Sequence, residues 1–212
     1  RRLSGKARRL VQAQQSELLE NAVSRFGLLT ETLQVRGAIA LAAIERNGLC
    51  IDQHQVANMS ACIHRQIDEC SRAIAEMPEA ERVFKRTKTG DLQLTPKSQS
   101  PCIDATHLTG LLERLNEQSD EPITIPRTEK TGKITTSVKF WSQYQQLHPF
   151  IAKWVQLSNL AKLGQFLTGL TGDRIHPRYA SLVRTGRTSC ANPNIQQLPR
   201  AAGFREMVIA SP

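Results

Sequence analysis

With 28 Lys and Arg against 19 Asp and Glu in 212 residues, the chain has a formal net charge of +9; 40% of its residues are hydrophobic but only 5% aromatic. That length accommodates one large domain or two small ones, and the shortage of aromatics suits an aliphatic, mainly helical core. The longest apolar run, Ala38 to Ile44, is too short to span a membrane, and the five cysteines form no C-x-x-C pair, which argues against a zinc site or a disulfide framework.

Residues 10–24 read as an amphipathic helix on Leu10, Val11, Leu18, Leu19 and Val23, and residues 33–46 as a more buried one. Asn47-Gly48 ends the second, with Gly48 suited to the left-handed position after a helix. Leu49-Cys50-Ile51 is extended, and Asp52 is a good N-cap for the next helix. That helix, 53–76, is the clearest in the chain: Val56, Met59, Ile63, Ile67, Cys70 and Ile74 recur at steps of three and four, with Arg65, Asp68, Glu69 and Arg72 on the solvated face. Met77-Pro78 closes it, and a short helix over 79–86 comes next.

Residues 87–104 read as an exposed loop, 106–116 as a short leucine-striped helix, and 117–137 as polar again. Ser137 is placed to cap a helix through 138–146. Pro149 suits the first turn of a helix running to about Leu170 on Phe150, Trp154, Leu157, Leu160, Leu163 and Leu167. Ile175 to Val183 is extended, and Met207 to Ala210 reads as a strand entering a sheet that the chain does not complete. The fold class is therefore mainly α with a small β portion. Cys62 and Cys70 read as small core residues, and scattered thiols fit a reducing, cytoplasmic compartment. The missing initial Met and the stop at Ser211-Pro212 give both ends the look of cuts from a longer protein.

Charge is uneven. Residues 121–212 hold 12 Lys and Arg against 4 Asp and Glu, whereas residues 10–120 are net −4 and read as ordinary soluble surface. A basic half points to an anionic partner, and its interleaved Asn, Gln, Thr and Ser favour nucleic acid over lipid. The densest stretch is Arg184 to Arg200: three arginines, two prolines, one glycine and a row of Asn and Gln. Arg, Asn and Gln hold phosphates and reach base edges, so this polar, stiffened segment reads as a surface nucleic-acid contact.

Thr131-Gly132-Lys133 lacks the earlier glycine and the preceding strand of a phosphate-binding P-loop; it reads as a flexible loop of lysines and hydroxyls suited to non-specific phosphate contact. Asp173 and Glu206 stand isolated, whereas metal-assisted phosphoryl chemistry needs converging carboxylates. His107, His148 and His176 lack an obvious acidic or Cys partner. From its residues alone the chain reads as a binding module, with no catalytic residues and no metal ligands.

Thr185-Gly186-Arg187 followed by Pro193-Asn194-Ile195-Gln196-Gln197-Leu198-Pro199-Arg200 resembles the T-G-R-x-S-x-x-x-P-N-[LI]-Q-x-[IL]-P signature of family A, polymerase-I-like DNA polymerases. Four more segments agree in order. Ile44 to Asp52 is similar to M-E-x-x-G-[IV]-x-[IVL]-D, Thr128 to Ser137 to T-E-K-T-G-K-x-S-T-S, His148-Pro149 with Leu160 to Leu163 to H-P…L-x-K-L, and Arg174 to Pro177 to G-R-[IL]-H-[TP]. The resemblance implies a helical thumb plus the incomplete start of a palm sheet. Residues 1–32 would be a helical flank, 33–52 the first palm helix and connector, 53–165 the thumb and 166–212 a partial palm.

It further implies that Arg187 reaches the minor groove at the primer terminus, with Asn194, Gln196 and Gln197 lining the duplex behind it. Lys130, Lys133, Thr136, Ser137 and Lys162 would contact phosphates. Minor-groove acceptors are nearly alike for every base pair, so such donors check pair geometry without reading sequence. The chain departs from the family where Gly164 replaces a frequent second lysine and where the 93–106 loop is longer. The family's carboxylate motifs are expected beyond Pro212. The partner implied is primer–template duplex DNA, bound by a monomer and without a membrane. The dNTP and the Mg²⁺ pair belong only to the complete enzyme, and the fragment alone, with no cofactor, would be inactive. A non-catalytic DNA-binding accessory module reusing the fold is the alternative.

Overall fold

The computed structural model describes residues 16–17, 20–21, 24–25, 27, 35–129, 132–180, 187–200 and 203–210. Within the 10–24 helix, Ser16, Glu17, Glu20, Asn21 and Ser24 are helical and the remainder lies outside the described residues. The fold is mainly α with a small antiparallel β portion, and it divides into two compact units: residues 52–171, and residues 1–51 with 172–212.

The 52–171 unit is built on two long helices, α2 (Gln53–Ala75) and α5 (Pro149–Leu167), packed against each other. The three-and-four stripe of α2 buries Val56, Ile63, Ile67, Cys70 and Ile74, while Met59 and Cys62 are half-buried. Helix α5 buries residues on several sides, from Phe150 and Ile151 through Trp154 and Leu157 to Leu167, because other segments cover it. A third helix, α3 (Ala105–Glu117), adds Leu108, Leu111, Leu112 and Leu115. Helix α4 (Val138–Trp141) is a single turn that puts Trp141 in the core.

Caps fix the starts of these helices. Asp52 accepts from the Gln55 N–H at 3.0 Å, and Asp104 accepts from the Thr106 and His107 N–H groups at 2.9 and 3.1 Å. These backbone donors hold both carboxyls below the usual Asp range. A depressed folded pKa stabilises above the unfolded value of about 3.9, and that contribution is lost as pH falls through the folded pKa. Thermal midpoints are therefore expected to drop below about pH 4. The double variant Asp52→Asn, Asp104→Asn, which keeps both caps but removes their titration, should drop less; equal curves would show that neither cap contributes.

Three sequence expectations are corrected in this unit. Residues 79–86 are not a helix: a 3-10 turn at Pro78–Ala80 continues as a turn through 81–83 before the bridge at Phe84, with Val83 and Phe84 buried. Residues 87–104 are not a plain loop. Bridges Phe84↔Ile103, Arg86↔Leu92 and Leu94↔Pro101 fold residues 84–103 into an antiparallel excursion, knit by Lys85 N–H to Cys102 O at 2.8 Å and Cys102 N–H to Gln93 O at 2.7 Å. At its far end Thr95, Ser98 and Ser100 share hydroxyl hydrogen bonds of 2.6–3.1 Å, with Ser98 and Ser100 buried. Polar composition suggested solvation, but paired hydroxyls satisfy one another and can be buried. The third correction concerns 138–146, where the α-helix stops at Trp141 and a 3-10 turn takes Gln145–Leu147; Ser137 sits at the N-cap without a side-chain capping bond.

In the other unit, helix α1 (Arg36–Asn47) leads through Gly48 into β1 (Leu49–Ile51). The order β2–β1–β5 forms an antiparallel sheet, with β2 at Arg174–Ile175 and β5 at Val208–Ile209. Its register pairs Leu49 with Ile175 and Ile51 with Val208. Strands β3 (Arg178–Ala180) and β4 (Ser189–Ala191) form a separate ribbon. Ile51, Ile175, Cys190, Phe204 and Met207 are buried. The expectation of a well-buried 33–46 helix is corrected: α1 has no buried residue, and Ile39 is 65% exposed. An apolar run shows that burial would be favourable, not that anything covers it.

Candidate nucleic-acid interface

In the unit of residues 1–51 and 172–212, long-range bonds hold the segment after β2 on the end of α1. Arg174 Nη1 donates to the Asn47 carbonyl at 2.6 Å, and His176 Nδ1 lies 2.8 Å from the Glu45 carbonyl. The Tyr179 N–H donates to the Glu45 carboxylate, which sets the start of β3. Strand β4 pairs Cys190 with Tyr179 and alternates exposed Ser189, buried Cys190 and exposed Ala191. Cys190 Sγ donates to the Pro193 carbonyl at 3.4 Å, anchoring the turn beyond it. Burial, and then the neighbouring Cys190, raise the Tyr179 pKa, so the phenol stays neutral.

The signature residues surround this anchor. Arg187 is exposed just before β4, and Gln196 and Gln197 are exposed in a 3-10 turn over Ile195–Gln197. The Gln196 amide donates to Thr188 Oγ1 at 2.9 Å, which draws the turn toward the residue after Arg187. Asn194 is half-buried, and its Oδ1 is enclosed without a hydrogen-bond partner. With that acceptor turned inward, only the Asn194 amide nitrogen can serve an outside acceptor. Among the described residues no carboxylate pairs with Arg178, Arg187 or Arg200. The reading of 184–200 as a surface loop is corrected in part, because β4 and the buried Cys190 give it a structured underside; residues 181–186 lie outside the described residues.

In the 52–171 unit, the described residues flanking and within the expected flexible loop at 131–133 are paired; Thr131 lies outside the described residues. Arg127 and Ile134 form a bridge, Thr128 N–H donates to Lys133 O at 2.8 Å, and Thr135 N–H donates to Pro126 O at 2.8 Å. The Arg127 guanidinium holds the Gly132 carbonyl at 2.9 Å and Glu113 of α3 at 3.2 Å. Trp141 Nε1 donates to the Thr135 carbonyl at 2.8 Å. On this pinned segment Lys133, Thr136 and Ser137 are all exposed, and the Ser137 hydroxyl is not spent on a cap. Lys162 is exposed on α5; Lys130 lies outside the described residues. The structure thus gathers Lys133, Thr136 and Ser137 on one segment and Arg187, Asn194, Gln196 and Gln197 on another, each in its own unit.

Sequence reasoning missed the anchors. Arg127, Trp141 and Glu45 were given no anchoring role, because their partners stand 5 to 134 residues away, beyond the reach of a helix or cap pattern. It also left histidines unpartnered. His148 Nδ1 accepts from the Phe150 N–H at 3.1 Å and its Nε2 faces Glu79 at 3.2 Å; His107 lies 3.3 Å from Asp104. These pairings serve helix starts. Gly164, where the family often has lysine, is buried beneath the Ser98 backbone and the Ile63 side chain.

Among the described residues no three His, Cys, Asp or Glu side chains group so as to hold a metal ion. They do not fit the Mg²⁺ pair that the resemblance implies, and no chemical step is assigned to them. No described helix is long and apolar enough to cross a membrane.

No family model matches the chain. The thermostable DNA polymerase I of Thermus aquaticus is 36% identical over 83 residues, covering 35% of this chain and 10% of the relative. That of Thermus thermophilus is 32% identical over 81 residues, covering 34% and 10%. The chain thus spans about a tenth of these relatives' length. In fold it is similar to the POL domain of Pol1 from M. smegmatis, solved in complex with DNA primer-template and dNTP, with a TM-score of 0.61 at 18% identity over 91% of this chain and 32% of that one. Over about a third of its length the chain is thus similar in sequence to polymerase-I-like, family A DNA polymerases, and its fold is similar to that of a Pol1 POL domain.

Proposed function

We propose that this chain is the thumb and first part of the palm of a template-directed DNA polymerase, gripping the minor groove and backbone of the primer–template duplex. The parent enzyme would add deoxynucleotides to the primer 3′ end. The observation that carries the reading is the set of exposed donors around β4: Arg187, without a carboxylate partner among the described residues, beside Gln196 and Gln197. Donors of this kind suit minor-groove acceptors that hardly differ between base pairs. Exposed Lys133, Thr136, Ser137 and Lys162 supply the chemistry of phosphate contacts in the other unit. In this reading the residues bind and orient the duplex, and none takes part in bond making.

Duplex binding, followed by fluorescence anisotropy, should weaken linearly on a log–log plot against salt. Arg187→Ala should weaken it about tenfold or more at fixed salt, equivalent to at least ~1.4 kcal/mol. The purified 212 residues should extend no primer. Full-strength binding by Arg187→Ala would remove the minor-groove role, and measurable incorporation would overturn the assignment as a non-catalytic grip.

A further inference from the structure

Taking the duplex-binding reading above as its ground, we infer that Glu45 is a positioning residue for the minor-groove donors: its carboxylate ties the β3–β4 ribbon to the last turn of α1 and so sets where Arg187 and Gln196 point.

Glu45 is unfavourably placed for its own helix. It is the third residue from the end of α1, where the carbonyl ends of the peptide dipoles disfavour an anion. Packing does not account for it either, because α1 buries no residue. No Lys, Arg or His side chain pairs with the carboxylate among the described residues. Its partner is the Tyr179 N–H, 134 residues along the chain. The neighbouring bonds differ in kind. Arg174 and His176 meet the Asn47 and Glu45 carbonyls, acceptors that any sequence leaves open at a helix end. The Tyr179 bond uses a side chain, so it depends on what stands at position 45.

The amide that Glu45 holds belongs to a weak element. Tyr179 faces Cys190 in the β3–β4 register, and a two-stranded ribbon is marginal without outside support. Along an antiparallel strand alternate N–H groups face the partner strand; the Tyr179 N–H turns the other way, to Glu45. At that open edge a ribbon can be fixed without disturbing its ladder. The donors hang from β4. Arg187 lies two residues before Ser189, the Gln196 amide donates to Thr188 Oγ1 at 2.9 Å, and Cys190 Sγ donates to the Pro193 carbonyl at 3.4 Å. A strand advances about 3.3 Å per residue, so a ribbon shifted by one residue against α1 carries Arg187 by more than a hydrogen bond tolerates.

A double-mutant cycle on duplex binding by the whole chain, followed by fluorescence anisotropy, tests this. Glu45→Ala should weaken binding about five- to tenfold, close to the effect of Arg187→Ala, because it acts through that side chain. In the Glu45→Ala background Arg187→Ala should add a loss of less than about twofold, whereas Lys162→Ala, in the other unit, should weaken binding by the same factor in both backgrounds. Glu45→Gln, whose amide oxygen still accepts the Tyr179 N–H, should bind within about threefold of the unaltered chain. If Glu45→Ala loses its helical circular dichroism, Glu45→Asp carries the same cycle: it keeps the charge and leaves the carboxylate one methylene short of the amide. Unaltered binding by the Glu45 variant, or the full Arg187→Ala loss in its background, overturns this inference and leaves the minor-groove reading standing. So does Glu45→Gln binding as weakly as Glu45→Ala. Full-strength binding by Arg187→Ala in the otherwise unaltered chain overturns both.

Discussion

Trp141→Ala is expected to destabilise the 52–171 unit by about 3–5 kcal/mol, the usual range for deleting a large aromatic from a packed core. Trp141 is fully buried, edge-on to Trp154 with ring centroids 6.5 Å apart and to Phe140 at 5.5 Å. The indole also donates to the Thr135 carbonyl at 2.8 Å, so it fastens the segment bearing Lys133, Thr136 and Ser137 to the core. Trp141→Phe separates the two effects: it keeps most of the packing and strands the carbonyl, which costs about 1–3 kcal/mol. Urea unfolding followed by circular dichroism measures both. A loss below about 1 kcal/mol for Trp141→Ala would mean that the ring does not anchor the core.

Gly48→Ala should be nearly as damaging to the other unit. Gly48 has φ +67° and ψ −173°, a combination that residues with a Cβ rarely adopt. The expectation of a positive φ is met, but with ψ extended, so the chain leaves α1 directly into β1. A Cβ there would lie 2.6 Å from the Ile175 carbonyl oxygen and 2.8 Å from the His176 ring. Strain of about 1–3 kcal/mol and overpacking of about 1–3 kcal/mol act together. The Ile175 oxygen is backbone in β2, so it can yield only by disturbing the β1–β2 register. Hydrogen exchange at the Ile51 amide, which donates to Asp173 O at 2.9 Å, reads the result. Protection should fall by about a hundredfold, or ~2.7 kcal/mol; unchanged protection would show that the turn relaxes at no cost.

The Trp141 and Gly48 results would bear on function through position. Neither residue is assigned a DNA contact in the proposed function, yet each supports a segment close in sequence to residues that are. The Lys133 segment depends on Trp141 and Arg127, and the segment leading to β3 depends on Glu45, Asn47 and the close turn at Gly48. Weakening either support should lower duplex affinity as far as the supported segment loses its ordered shape.

Local periodicity and capping chemistry determined much of this protein from sequence alone. The α2 stripe, the Asp52 cap, Pro149 at the first turn of α5 and the extended 49–51 and 208–209 segments come from side-chain spacing and from which residues satisfy a helix end. The concentration of Arg, Asn and Gln at 184–200 was equally visible, because donors are a property of residue type. What covers an apolar face was not visible, so α1 was taken for buried when Ile39 and Ile44 stand exposed. Nor was pairing across distance. Residues 87–104 looked like a loop and 117–137 merely polar, until Cys102 met Lys85 and Thr135 met Pro126 and Trp141. Helix and cap patterns arise within four residues along the chain, so sequence records them. A carbonyl's distant donor, or the lid over a helix face, is chosen only when the chain closes on itself, and that choice turned two polar stretches into ordered arms carrying lysine.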